Sequence, residues 1–160
     1  LLFTYELQGN RLLLTQHITN HSGEKIPFSL GLHPYFWVKD KTKLGFTIPS
    51  SQYQDQHTLD VSPFTGAFDW DAPEVDVIFH SLDQTHTNIS DRHRRVQIQI
   101  NYSELYSKLV FWTVKEKEYI CLEPWTAGRN ALNTGESLSY LEPGASCTGT
   151  VEMIYQPLAS

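Results

Sequence analysis

The sequence predicts an all-β protein, an antiparallel sandwich or barrel, and three observations predict it. Short runs alternate apolar and polar residues with a period of two, the mark of pleated strands with one buried face. β-Branched and aromatic residues fill these runs, while Gly, Pro, Asn and Ser fill the gaps between them. No window sustains an i, i+3, i+4, i+7 apolar stripe over the ~10–12 residues of a convincing helix.

Phe3, Tyr5 and Leu7 alternate with polar neighbours, and Gly9-Asn10 turns the chain back into Leu12 and Leu14, a hairpin pattern. Residues 26–32 form a short, mostly apolar run after the turn Ser22-Gly23-Glu24-Lys25. Further strands are expected over residues 44–48, 75–79, 96–102, 108–114, 119–123 and 147–155. In the cleanest of them, Val96, Ile98 and Ile100 share one face. Residues 50–74, rich in Gln, Asp, Pro and Ser, read as one long irregular stretch. Such loops are uncommon unless functional or disordered, and Tyr53, Phe64, Phe68 and Trp70 favour a packed one.

Composition bounds the function. The 160 residues, 40% hydrophobic and 19% charged, suit one globular domain with a proper core. Net charge is −6, and the only dense basic cluster is Arg92-His93-Arg94-Arg95, a solvated loop rather than a nucleic-acid surface. No run approaches the ~18 apolar residues of a membrane span. Leu1-Leu2-Phe3 leads straight into alternating polar sequence and not into a signal peptide. Cys121 and Cys147 have no C-x-x-C spacing, so neither a disulfide framework nor a zinc site is expected, and a cytoplasmic setting is. The Asn-x-Ser triplets at Asn20, Asn88 and Asn101 read as chance matches. The chain opens in mid-pattern at Leu1, as a fragment does.

Two segments carry the chemistry. In Gly31-Leu32-His33-Pro34-Tyr35-Phe36-Trp37 a histidine ends an apolar run and is followed by a proline, which marks a strand end or edge. Working side chains often sit where a sheet gives way to a loop; a core histidine with a satisfied hydrogen bond is the other reading. In Tyr119-Ile120-Cys121-Leu122-Glu123-Pro124-Trp125 a strand ends in a carboxylate, again before proline. Alternation puts Glu123 on the face of Tyr119 and Cys121, and burial of a lone carboxylate costs several kcal/mol unless it is partnered. A strand-end glutamate in solvent beside a structural Trp125 is the alternative. Both segments pair a titratable group with aromatics, and flat rings suit the C–H face of a pyranose while charged groups suit its hydroxyls.

These segments resemble the histidine and glutamate motifs of the aldose 1-epimerase (galactose mutarotase-like) family. Asn130-Ala131-Leu132-Asn133-Thr134-Gly135 and Leu141-Glu142-Pro143-Gly144 continue the likeness, which runs from about Leu12 to Tyr155. Val75-Asp76-Val77-Ile78-Phe79 resembles, more loosely, the segment that carries the family's substrate-positioning aspartate, with Asp69, Asp71 and Glu74 close by. The resemblance implies a sandwich of large, curved antiparallel sheets, with residues 1–160 as one sandwich domain that is the C-terminal part of a larger one. The family's N-terminal arginine and second histidine have no counterpart in this sequence, so completion by an N-terminal half or by a homo-oligomer is expected.

The resemblance also implies the reaction. Glu123 would take the proton from the anomeric hydroxyl O1, and protonated His33 would give one to the ring oxygen. Asp76, Tyr35, Trp125 and Arg129 would contact the sugar. No metal, nucleotide or redox cofactor is called for, and the partner is a hexose or hexose phosphate, with neither nucleic acid nor membrane. A sugar-binding module without turnover is the alternative from another class, and a hexose 6-phosphate, for which Arg129 is the cation at hand, is the alternative substrate. Glu123 with Asp76 could in principle form a glycosidase pair. No nucleophile elbow and no phosphate loop is present. His17 and His21 are not stacked by a strand and turn as metal ligands, and His80, His86 and His93 read as solvated.

Overall fold

The computed structural model describes residues 1–158 and is almost wholly β. In chain order the strands are β1 (Leu2–Gln8), β2 (Arg11–Thr19), β3 (Ile26–Phe28), β4 (Tyr35–Trp37), β5 (Leu44–Thr47), β6 (Gln52–Asp55) and β7 (Val61–Pro63). They continue as β8 (Glu74–Phe79), β9 (His86–Asp91), β10 (Val96–Tyr102), β11 (Lys108–Val114), β12 (Tyr119–Trp125), β13 (Ser139–Leu141) and β14 (Ser146–Pro157). Among the described residues the helical pieces are a 3₁₀ turn at Lys41–Lys43 and one α-turn, α1 (Ala131–Thr134). None is long and apolar enough to cross a membrane.

Two six-stranded antiparallel sheets face each other, ordered β1-β2-β14-β10-β9-β5 and β4-β12-β11-β8-β6-β7. The alternation read from the sequence decides what lies between them. Ile100, Ile89 and Val151 of the first sheet meet Phe79, Leu109, Phe111, Ile120 and Leu122 of the second, all buried. Each such side chain contributes about 1.5–3 kcal/mol by leaving water. The opposite parity of β8, β11 and β12 then faces outward, and these positions build the site.

Three expectations are corrected. Residues 50–74 are not one irregular stretch, because β6 and β7 pair within it and extend the second sheet past β8. No alternation marks them, since β6 is four mostly polar residues and β7, at the sheet edge, only three. The aromatics expected to pack that segment do so: Phe68 stacks on Phe111 with ring centroids 3.8 Å apart, and Phe64 meets Phe79 edge-on at 5.2 Å. The run 26–32 yields a strand only to Phe28, which pairs with β13 outside both large sheets. His86 lies not in a solvated loop but at the start of β9, half-buried and opposite Asn101.

Candidate active site

Strand register places the site residues in rows across the outer face of the second sheet. Asp76 on β8 lies opposite Trp112 on β11, Trp112 opposite Cys121 on β12, and Cys121 opposite Tyr35 on β4. In the row behind, Ile78, Val110 and Glu123 are aligned. His33 reaches this row because the chain before β4 hugs the end of β12. Gly31 bridges to Trp125, Leu32 N–H donates to the Pro124 carbonyl at 3.1 Å, and Thr126 N–H donates to the Leu30 carbonyl at 2.8 Å. Only glycine fits at position 31, because a Cβ there would stand 2.7 Å from the Trp125 ring.

His33 and Glu123 meet. His33 Nδ1 lies 3.4 Å from Glu123 Oε1, with the His33 side chain 49% exposed and that of Glu123 1%. The His33 ring stacks on Tyr35 at 4.9 Å and 5°, and Trp112 closes on both rings edge-on. Trp125 Nε1 donates to Glu123 Oε2 at 3.0 Å, so this ring fixes the carboxylate as well as lining the cleft. Burial pushes the Glu123 carboxyl up to about 7; the nearby Asp76 charge adds to this, while the Trp125 hydrogen bond and the Arg129 charge oppose it. A carboxyl poised there is suited to act as a base near neutrality.

Asp76 is buried. Arg129 Nη2 donates to its Oδ2 at 2.7 Å, and Gln56 Nε2 donates to its Oδ1 at 2.5 Å. His57 Nε2 lies 3.7 Å from Asp76 and 3.4 Å from Glu74, whose Oε1 accepts from Trp112 Nε1 at 2.6 Å. Arg129→Ala would leave a buried carboxylate leaning on Gln56 and, at 3.7 Å, on His57. Because the Arg129 side chain is 56% exposed, solvent screens the pair, and the expected loss is about 1–3 kcal/mol. The urea midpoint should fall with the slope unchanged; an unmoved midpoint would mean that the pair adds nothing to stability.

A cleft of about 270 Å³ opens beside His33, Glu123 and Trp125, and another of about 150 Å³ beside Gln56, Arg129, Lys108 and Ser137; Gly128 lines both. The six residues expected from sequence thus fall on one face, in two neighbouring groups: His33, Tyr35, Glu123 and Trp125, and Asp76 with Arg129. Sequence reasoning missed Trp112, Gln56 and His57. The alternation of β11, with Phe111 facing the core, carried the signal for Trp112; Gln56 and His57 lie in the polar stretch after β6 and gave none. Two trios hold their ligand atoms within 4.8 Å of one another, His33-Cys121-Glu123 and His57-Glu74-Asp76. In the first, burial pushes the Cys121 thiol up to about 12, against the thiolate a metal wants.

The family model for aldose 1-epimerase matches residues 1–153. The chain belongs to the aldose 1-epimerase family. Among solved structures it is similar to the Slr1438 protein of Synechocystis sp. PCC 6803, at 41% identity and a TM-score of 0.94, over 97% of this chain and 54% of that one. It shares its fold with a galactose mutarotase-like protein from Clostridium acetobutylicum at 21% identity (TM-score 0.81, 98% of this chain, 55% of that one). A galactose mutarotase-like protein from Lactobacillus casei ATCC 334, at 20% identity, gives a TM-score of 0.75 over 96% of this chain and 62% of that one. The chain therefore spans little more than half the length of these relatives. No curated protein matches it. These likenesses bear out the antiparallel sandwich that the motifs implied.

Proposed function

We propose that this aldose 1-epimerase chain binds a free hexose on the outer face of its second sheet and interconverts the α and β anomers. The observation that carries the reading is the His33–Glu123 pair, 3.4 Å apart, with the carboxyl pushed up to about 7. The two oxygens that exchange protons in mutarotation, O1 and the ring oxygen, are bonded to the same carbon. Two adjacent groups of opposite role are therefore what the reaction needs.

Glu123 takes the proton of the O1 hydroxyl while His33 gives one to the ring oxygen; the C1–ring-oxygen bond breaks and C1=O1 forms. Rotation about C1–C2 presents the other face of the aldehyde. The ring hydroxyl then adds to C1, returning its proton to His33, and O1 regains one from Glu123. Because His33 Nδ1 faces Glu123, Nε2 is the nitrogen left to serve the sugar. Tyr35, Trp112 and Trp125 supply aromatic surface, and Asp76 and Arg129 supply hydroxyl partners. Arg129, the cation a 6-phosphate would use, is held by Asp76 at 2.7 Å, which favours the unphosphorylated sugar. A binding module without turnover, which keeps the cleft and its aromatic surface, is the second reading. Polarimetry of freshly dissolved α-glucose or α-galactose tests the proposal. Faster approach to equilibrium rotation supports it, and sugar binding by calorimetry with no acceleration turns it into the binding module.

The Glu123 carboxyl also sets a pH dependence. A base must be ionised, so kcat/KM should rise with pH through about 7 and lose this limb in Glu123→Gln. The stability effect has the opposite sign. The folded pKa lies above the ordinary 4.5, so the native state holds the proton more tightly, and this contribution to stability is lost as pH rises from about 4.5 through 7. A kcat/KM that stays flat between pH 5.5 and 8 would contradict the assignment.

A further inference from the structure

Each oxygen of the buried Glu123 carboxyl has a different partner. His33 Nδ1 faces Oε1 at 3.4 Å, while Trp125 Nε1 donates to Oε2 at 3.0 Å. The indole in turn is held by the chain before β4. Gly31 bridges to Trp125, hydrogen bonds from Leu32 to Pro124 and from Thr126 to Leu30 flank the bridge, and Leu30 N–H donates to Thr126 Oγ1 at 2.9 Å. A Cβ at position 31 would stand 2.7 Å from the indole Cδ1 and 2.9 Å from Nε1, the donor atom itself. Gly31 is not among the glycines with a positive φ. What this position demands is therefore space beside the N–H end of the ring, not a left-handed backbone. Any larger side chain would push the donor off the carboxylate or move the strand that bears it.

An indole N–H donates and cannot accept. A proton on Oε2 would point at another proton, so the proton that Glu123 gains and loses resides on Oε1. We infer that Gly31 and Trp125 act as a positioning clamp: Gly31 seats the indole, the indole occupies Oε2, and Oε1 is left as the oxygen that exchanges protons with the sugar. The inference rests on the reading of Glu123 as the base, and adds which of its oxygens reacts and what holds it there. Trp125, expected from the sequence as a sugar contact, then serves chiefly through its N–H, and Gly31 serves through Trp125. The same hydrogen bond favours the ionised carboxylate. The groups around Glu123 are His33 from the chain before β4, Cys121 on its own strand, Asp76 on β8 and Arg129 beyond β12. Burial and Asp76 raise the carboxyl, while the indole hydrogen bond and, less strongly, Arg129 lower it. The Cys121 thiol, pushed up to about 12, is uncharged near neutrality.

Trp125→Phe keeps an aromatic ring in the cleft and deletes the N–H, whereas Gly31→Ala keeps the N–H and displaces it. The Glu123 carboxyl can be titrated by carbon NMR of protein with labelled glutamate, its signal assigned by loss in Glu123→Gln, with neither sugar nor turnover. The midpoint, about 7 in the parent, should rise by about one pH unit or more in Trp125→Phe, the effect of losing a hydrogen bond to a charged group. Gly31→Ala should shift it the same way, and should add nothing in the double variant with Trp125→Phe, since it acts through the N–H. In polarimetry the rising limb of kcat/KM should move with the midpoint while KM changes little. A midpoint that stays put or falls in Trp125→Phe overturns the clamp, whatever becomes of Gly31→Ala. A Gly31→Ala shift of full size in the double variant overturns the part given to Gly31. A parent without a pH limb sinks the reading of Glu123 as the base, whereas a parent limb that Trp125→Phe leaves in place sinks the clamp alone.

Discussion

Glu123→Gln is expected to slow mutarotation by about 10²–10⁴-fold, the contribution of a positioned general base, while sugar affinity changes far less. The substitution is close to isosteric at a position that is 1% exposed, so no cavity forms. The amide oxygen can still accept the Trp125 Nε1 hydrogen bond, which now spans 3.0 Å to Oε2, and the amide nitrogen then faces His33. Folding should not suffer. Above pH 7 the variant should be at least as stable as the parent, because a buried charge has been replaced by a neutral group. Polarimetry gives the rate, calorimetry the affinity and urea unfolding the stability. A variant as fast as the parent would make Glu123 a structural residue and end the proposed mechanism.

The contrast between what the sequence disclosed and what it hid has a physical reason. Strands with one face in the core announce themselves by alternation, so β10, β11 and β12 were legible, and with them the outward parity of Glu123. His33 and Glu123 were legible because each is followed by proline and aromatics and each matches a family motif, although neither ends a strand: β12 runs on through Pro124 to Trp125, and His33 precedes β4. That they meet was implied only by the resemblance, since residues 90 positions apart in sequence are brought together by long-range pairing of the chain around Gly31 with the end of β12. Nor was the environment of Asp76 legible: its hydrogen-bond partner Gln56 lies just past β6, a four-residue strand whose mostly polar side chains have no period to read. β1 shows the reverse: its alternation is clear in sequence, although all seven of its residues are exposed.

His33→Asn separates the two roles that the His33 ring combines. The asparagine amide nitrogen lies close to where Nδ1 sits, so the contact with Glu123, 3.4 Å in the parent, survives, while the Nε2 proton that serves the ring oxygen is lost. His33→Gln does the reverse, placing a neutral donor near Nε2 and giving up the contact. Neither amide can transfer a proton at neutral pH. Both should therefore lose about 10²–10⁴-fold in turnover, the asparagine with little change in sugar affinity. The fold should tolerate both, because the ring is 49% exposed and its main packing is the stack on Tyr35. If His33→Gln loses turnover and His33→Asn keeps it, His33 acts by positioning Glu123 through Nδ1 and another group protonates the ring oxygen. If both keep it, the histidine is structural. Loss in both, with binding retained in His33→Asn, is the result that acid catalysis from Nε2 requires.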